Sequence, residues 1–148
     1  MSSKTPIAYI DVRVFAHATE DLEKVLAAVR NLLPAGVLDI VIFRKSNLTG
    51  YYGNPITLFE TKIKDKNIIR QVFEKLSTGL GVMDKEFLKK EIKQHIEKGN
   101  LYLRLDKQSA FLNQLKLSRT DPIHLRIHFK KHRPDEIIDV CRESGLLV

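Results

Sequence analysis

Ile123, Leu125, Ile127 and Phe129 alternate with His124, Arg126, His128 and Lys130. This is the strictest pattern in the chain. A two-residue period permits one structure, a strand with one apolar face and one polar face. Two further stretches repeat it. In 7–18, Ala8, Ile10, Val12, Val14 and Ala16 oppose Tyr9, Asp11, Arg13, Phe15 and His17. In 99–112, Leu101, Leu103 and Leu105 alternate with Tyr102, Arg104 and Asp106. Such strands belong to a sheet dry on one side and wet on the other, which is an antiparallel habit.

The remaining segments supply the cover. VLDIVIFR (37–44) is apolar at nearly every position and reads as a strand buried on both faces. KSNLTGYYGNP (45–55) reads as a loop, and ITLFETKI (56–63) as a strand pairing with 37–44 in a long hairpin. Helical spacing appears in 22–33 after Thr19 as N-cap, and again after Asp65 (Ile68, Ile69, Val72, Phe73, Leu76). A third helix is expected after Asp84 (Phe87, Leu88, Ile92, Ile96), closed by Gly99. A short helical turn fits 109–115. A last helix starts at Pro134, carries Ile137, Ile138, Val140 and Cys141 inward, and stops at Gly145. Hairpins mixed with helices predict an α+β fold: a largely antiparallel sheet of about five strands with helices packed mainly on one face. With 148 residues, one domain over 1–148 is expected.

The single cysteine, Cys141, excludes an internal disulfide and a cysteine-only zinc cluster. At an apolar helical position it reads as a buried thiol. The amino-terminal residues lack a signal-peptide apolar run, and no stretch reaches the roughly 20 apolar residues of a membrane span. A cytoplasmic protein without membrane contact is expected.

The net charge is +7, and it is unevenly distributed. Residues 1–84 carry +2, residues 85–133 carry +8, and residues 134–148 carry −3. A localised cationic segment suits a polyanion. His124, His128 and His132 are spaced by four, but the first two lie on a strand, about 13 Å apart, too far to share one metal ion. TGLG (78–81) lacks the Gly-Lys-Ser/Thr ending of a phosphate loop and lies between helices. Neither a metal nor another cofactor is expected. Glu60 and Lys62 share a strand face, with Asp39 upstream. This Asp…Glu-x-Lys string resembles metal-dependent nucleases, in which two carboxylates hold Mg²⁺ and the lysine polarises water. A cross-strand ion pair explains the same residues.

The basic strands read more simply. Tyr102, Arg104, His124, Arg126, His128 and Lys130 form one outward surface if 100–106 and 123–130 are neighbours. Cations neutralise phosphates, and aromatic and guanidinium planes stack on unpaired bases. A plain solvated face, or a basic face for an acidic protein partner, is the competing reading. GYYGNPI (50–56), GNLYLRLDKQSAFLNQLKL (99–117) and DPIHLRIHF (121–129) together resemble an archaeal family of RNA-binding proteins described as exosome-subunit-like, similar in fold to the large-subunit ribosomal protein that binds 5S RNA. Tyr51, Gly53, Asn54, Pro55 and Ile56 match its first motif. Asn100 to Tyr102, Arg104, Asp106 to Gln108 and Ala110 match the second, and Asp121 to Ile123 the third. Phe111 departs from a usual tyrosine, and Asn113 stands near a usual glycine. The resemblance implies RNA binding, an accessory part in RNA processing or degradation, and no catalytic residues. With it, Asp106 is expected to cap the turn after the strand, leaving Lys107 for a phosphate and Gln108 for a base or backbone.

Overall fold

The alternating stretches pair as neighbours. In the computed structural model, which describes residues 6–37 and 40–148, strand β1 (Ile7–His17) lies between β3 (Pro55–Ile63) and β6 (Ile123–Phe129). Outside these lie β2 (Arg44–Thr49) on one flank, and β5 (Asn100–Leu105) and β4 (Ile96–Glu97) on the other. The order is β2-β3-β1-β6-β5-β4, and every pairing is antiparallel. The helices are α1 (Leu22–Arg30), α2 (Lys66–Gly79), α3 (Val82–Glu91), α4 (Lys107–Phe111) and α5 (Pro134–Ser144).

Register converts alternation into a core. Val12 sits between Thr61 and Leu125, and Leu125 also faces Leu103, so the apolar residues of neighbouring strands form rows. Ile10, Val14, Leu101, Leu105, Ile123 and Ile127 have no exposed surface. The helices close this side with Val25 and Val29 of α1, Ile69 and Leu76 of α2, Leu88 of α3 and Ile137 of α5, all in one cluster with the sheet. Cys141 is buried in it, and burial pushes its thiol up to about 12. That agrees with a packing role. No helix among the described residues is long and apolar enough to cross a membrane.

Several local expectations change. The strand expected over 37–44 is displaced: β2 starts at Arg44 and runs to Thr49. Val41 and Phe43 pack against the core from an irregular segment, while Ile40 and Ile42 are exposed. Leu38 and Asp39 lie outside the described residues. Edge strand β2 buries little, so its sequence carries no apolar period, and the expected loop over 45–55 is half strand. The hairpin turn is confined to 50–54, between Thr49 and its partner Pro55. Sheet size is six strands because a two-residue β4 forms after α3.

The caps shift as well. Asp21, not Thr19, caps α1, accepting from Glu23 N at 2.9 Å. Asp84 lies inside α3, which follows Gly81, and accepts instead from Leu117 N at 3.0 Å. Gly99 does not end a helix. With Lys98 it makes the β4–β5 turn, both residues at positive φ (52° and 82°), the geometry that suits a two-residue hairpin. The helical turn expected over 109–115 is α4 at 107–111, and Asn113 after it has φ 61°, which explains a glycine habit there. In β1 a bulge between Ile7 and Tyr9 turns Ile7, not Ala8, into the core. Asp65 and Gly145 act as the sequence predicts: Asp65 caps α2, and Gly145 at φ 88° ends α5.

Leu125 sits at the centre of this packing, 1% exposed. Leu125→Ala is expected to lower stability by about 2–5 kcal/mol, read from the urea midpoint at unchanged slope.

Candidate nucleic-acid interface

Whatever pairs in register on the dry face also pairs on the wet one. Two rows of polar residues therefore cross the open side of the sheet. One runs Lys62, Asp11, Arg126, Tyr102 over β3, β1, β6 and β5. The next runs Arg44, Glu60, Arg13, His124, Arg104 over β2 to β5. Successive rows are two residues apart, about 7 Å. Together they line a hollow of about 740 Å³, with Ile42 at its rim.

Its electrostatics are uneven. Among the described residues, the lining holds five cations, one from each of five strands, against the carboxylates of Asp11 and Glu60. Arg126 Nε donates to Asp11 at 3.0 Å, with a second, short bond from Nη2. This hydrogen bonding, against some loss from burial, raises the Arg126 pKa. Lys62 approaches the other Asp11 oxygen at 3.8 Å and sits 4.0 Å from the Tyr9 ring centroid. Arg44 holds Glu60 through Nε at 3.1 Å and through Nη2. Arg13 and Arg104 are exposed and have no acidic partner among the described residues. The Arg13 guanidinium lies 5.7 Å from the Phe15 ring centroid.

The histidines register this field. Partial burial, then Arg13 and Arg104, lowers the pKa of His124. Burial, then His132, Arg126 and Lys62, lowers that of His128. His128 stacks on Tyr9 at 4.7 Å, and its Nδ1 donates to Asn100 Oδ1 at 2.7 Å.

The structure thus gathers Tyr102, Arg104, His124 and Arg126 in the hollow, with His128 in the adjoining row. Lys130 lies just past β6, exposed, its backbone N–H donating to Pro6. Gln108 is exposed on α4, which packs against α1, outside the hollow. Lys107 is turned into the protein. Its side chain is 12% exposed, and Nζ donates to Phe15 O at 2.5 Å, Glu20 at 3.0 Å and Asp121 at 2.7 Å. Its charge is answered inside the protein. Asp106 caps α4 as expected, accepting from Ser109 N at 2.9 Å and Ser109 Oγ at 2.7 Å. Arg13, Arg44 and Lys62 were not in the cationic set that sequence indicates. Alternation carried the signal for Arg13 and Lys62 but not for Arg44 on edge strand β2, and only the placement of β1 between β3 and β6 brings the three to the hollow.

Carboxylates are elsewhere engaged. Glu60 and Lys62 do share the open face, but Glu60 is held by Arg44, and Asp39 lies outside the described residues. His17, Glu20 and Asp121 have metal-ligand spacing, yet the Lys107 ammonium stands among them.

A family model described as RNA binding matches residues 9–129. The chain is similar to RNA-binding protein PAB1135 of Pyrococcus abyssi, 36% identical over 148 residues, covering 97% of this chain and 96% of that one. Protein MJ0213 of Methanocaldococcus jannaschii is 29% identical, covering 92% and 97%. Among solved structures, the DUF54 protein Mth689 of Methanothermobacter thermautotrophicus aligns with a TM-score of 0.77 at 28% identity, covering 93% of this chain and 97% of that one.

Lys107→Met leaves Glu20 and Asp121 without their cation and Phe15 O without its donor. A loss of about 1–3 kcal/mol is expected in urea unfolding at neutral pH. Partial burial alone would raise the Asp121 carboxyl, but hydrogen bonds from Lys107 and His17 outweigh it and hold the group below its usual 3.8. This share of stability is complete above that value and is lost as the pH falls through the depressed one, so the variant's deficit should shrink in acid.

Proposed function

Because the chain belongs to this RNA-binding family, we propose that the open face of its sheet is where it holds RNA. The observation that carries the reading is convergence: Arg44, Lys62, Arg13, Arg126 and Arg104 come from five strands to one hollow whose lining, among the described residues, holds two carboxylates. Arg13 and Arg104 are the phosphate contacts, since no acidic partner among the described residues answers their charge. Arg126 and Lys62 are steadied by Asp11, which fixes their direction and weakens their field. Tyr102 and the Tyr9–His128 stack offer ring faces to bases. Lys130 extends the cationic rim beyond the end of β6.

The reading is of a binding protein without a catalytic step. Arg44 holds Glu60, one of the two acids that a nuclease would use for metal. The resemblance to exosome-subunit-like proteins supports an accessory part in RNA processing or degradation, with RNA as the direct partner.

Three measurements test this. Arg13→Ala with Arg104→Ala should weaken RNA binding by about 10-fold or more and flatten its salt dependence by about one for each phosphate no longer neutralised; an unchanged affinity and slope would refute the site. Affinity should rise as the pH falls from neutral to below 6.5, because phosphate favours the protonated forms of His124 and His128 that the free protein disfavours. His124→Gln with His128→Gln should remove that rise. End-labelled RNA incubated with the protein and Mg²⁺ should stay intact; cleavage abolished by Glu60→Gln would establish the nuclease reading instead.

A further inference from the structure

The open face does not stop at the charged hollow. Beyond the Glu60–Arg13 row, the same side of the sheet continues with Phe15 opposite Leu58, then with Ile56 opposite Leu48. These positions carry no lysine or arginine. Phe15, Leu58 and Ile56 are half-buried, and Leu48 is 42% exposed. The strip ends at the β2–β3 turn, where Tyr51 is 95% exposed and Tyr52 85% exposed. From Glu60 to the turn is five residues of strand, about 17 Å.

Neither tyrosine is needed to shape that turn. Gly53 N donates to Gly50 O at 3.0 Å, and Gly50 N donates to Asn54 O at 2.7 Å. Gly53 has φ 80°, and a Cβ at Gly50 would lie 2.9 Å from Ile56 Cδ1, so the glycines set the conformation. The two rings meet edge to face, centroids 4.9 Å apart. A backbone-fixed turn thus presents two large aromatic rings to water. Isolated apolar residues at a surface need no explanation, but here a paired aromatic tip continues an apolar strip that begins in a cationic hollow.

Resting on the reading of the face as the RNA site, we propose that the ligand is RNA with an unpaired stretch, whose bases leave the hollow along Phe15, Leu58 and Leu48 and stack on Tyr51 and Tyr52. Charge decides the direction. Phosphates are drawn to the arginines, and Phe15, Leu58, Ile56 and Leu48 offer them neither charge nor side-chain donor, whereas every base has a ring face that stacks on an aromatic side chain. A duplex keeps those faces inside its own stack and gains nothing from the tip.

The test compares a fluorescein-labelled single-stranded RNA of mixed sequence with a fully paired RNA of equal length, by anisotropy. Tyr51→Ala with Tyr52→Ala should weaken single-strand binding by about 10-fold or more and leave duplex binding unchanged. Phe at both positions should keep wild-type affinity, since the rings and not the hydroxyls act. A thermal melt should match wild type, both side chains being exposed. If the Ala variant binds the single strand as tightly as wild type, while Arg13→Ala with Arg104→Ala does not, the tip is not a base platform, although the hollow still holds RNA. If the wild-type protein binds neither RNA, the reading of the face fails and this proposal with it.

Discussion

Strand β1 is paired along both edges, in register, to β3 and to β6. Everything on either side of the sheet follows from that. A slip of one residue would turn Val12 and Val14 toward water and Asp11 and Arg13 into the helix layer. The burial of the dry side therefore holds the polar rows of the wet side in place. The open face needs no scaffold of its own, because its geometry is fixed by apolar residues one position away in sequence. This is why residues from five strands meet with their charges aligned across the strands and not scattered along them.

Within those rows the charges are not equivalent. Asp11 and Glu60 each hold an arginine, which lowers the local field but also fixes where two guanidinium groups point. Partly exposed pairs of this kind contribute little to stability. Their consequence is positional. Arg13 and Arg104, without an acidic partner among the described residues, supply positive potential, and beside burial the lowered pKa of His124 is in part its imprint, whereas His128 is lowered by burial and then by His132, Arg126 and Lys62.

Lys107 stands in a motif of basic and polar residues but is turned into the protein. Asp106, Lys107 and Asp121 belong to strings that resemble an RNA-binding family, and a lysine there invites assignment to a phosphate. The fold uses it otherwise. Its ammonium joins the end of β1, the turn into α1 and the loop before β6, through Phe15 O, Glu20 and Asp121. A lysine this enclosed must have its hydrogen bonds met. The motif residues Asp106, Lys107 and Asp121 thus hold the architecture together, while Arg104 and Arg126 nearby stay on the open side.

For β5, β6 and β1 beyond its bulge, the sequence alone determined which side chains face the core and which stand on the open side, because a two-residue period is a local property that no packing can reverse without burying charge. It also indicated one largely antiparallel sheet with helices mainly on one face, and that Asp65, Asp106 and Gly145 mark helix ends. Edge strand β2 was not legible, since a strand that buries almost nothing carries no apolar pattern, while the neighbouring VLDIVIF looked more like a strand than it is. Which cations act together was decided by tertiary structure. Arg13 and Arg104 are 91 positions apart in number, and only the strand order β3-β1-β6-β5 sets them around His124. Lys107 left the set for the same reason: its partners Glu20 and Asp121 are far along the chain, and Coulomb attraction is settled by distance in space, which a sequence does not contain.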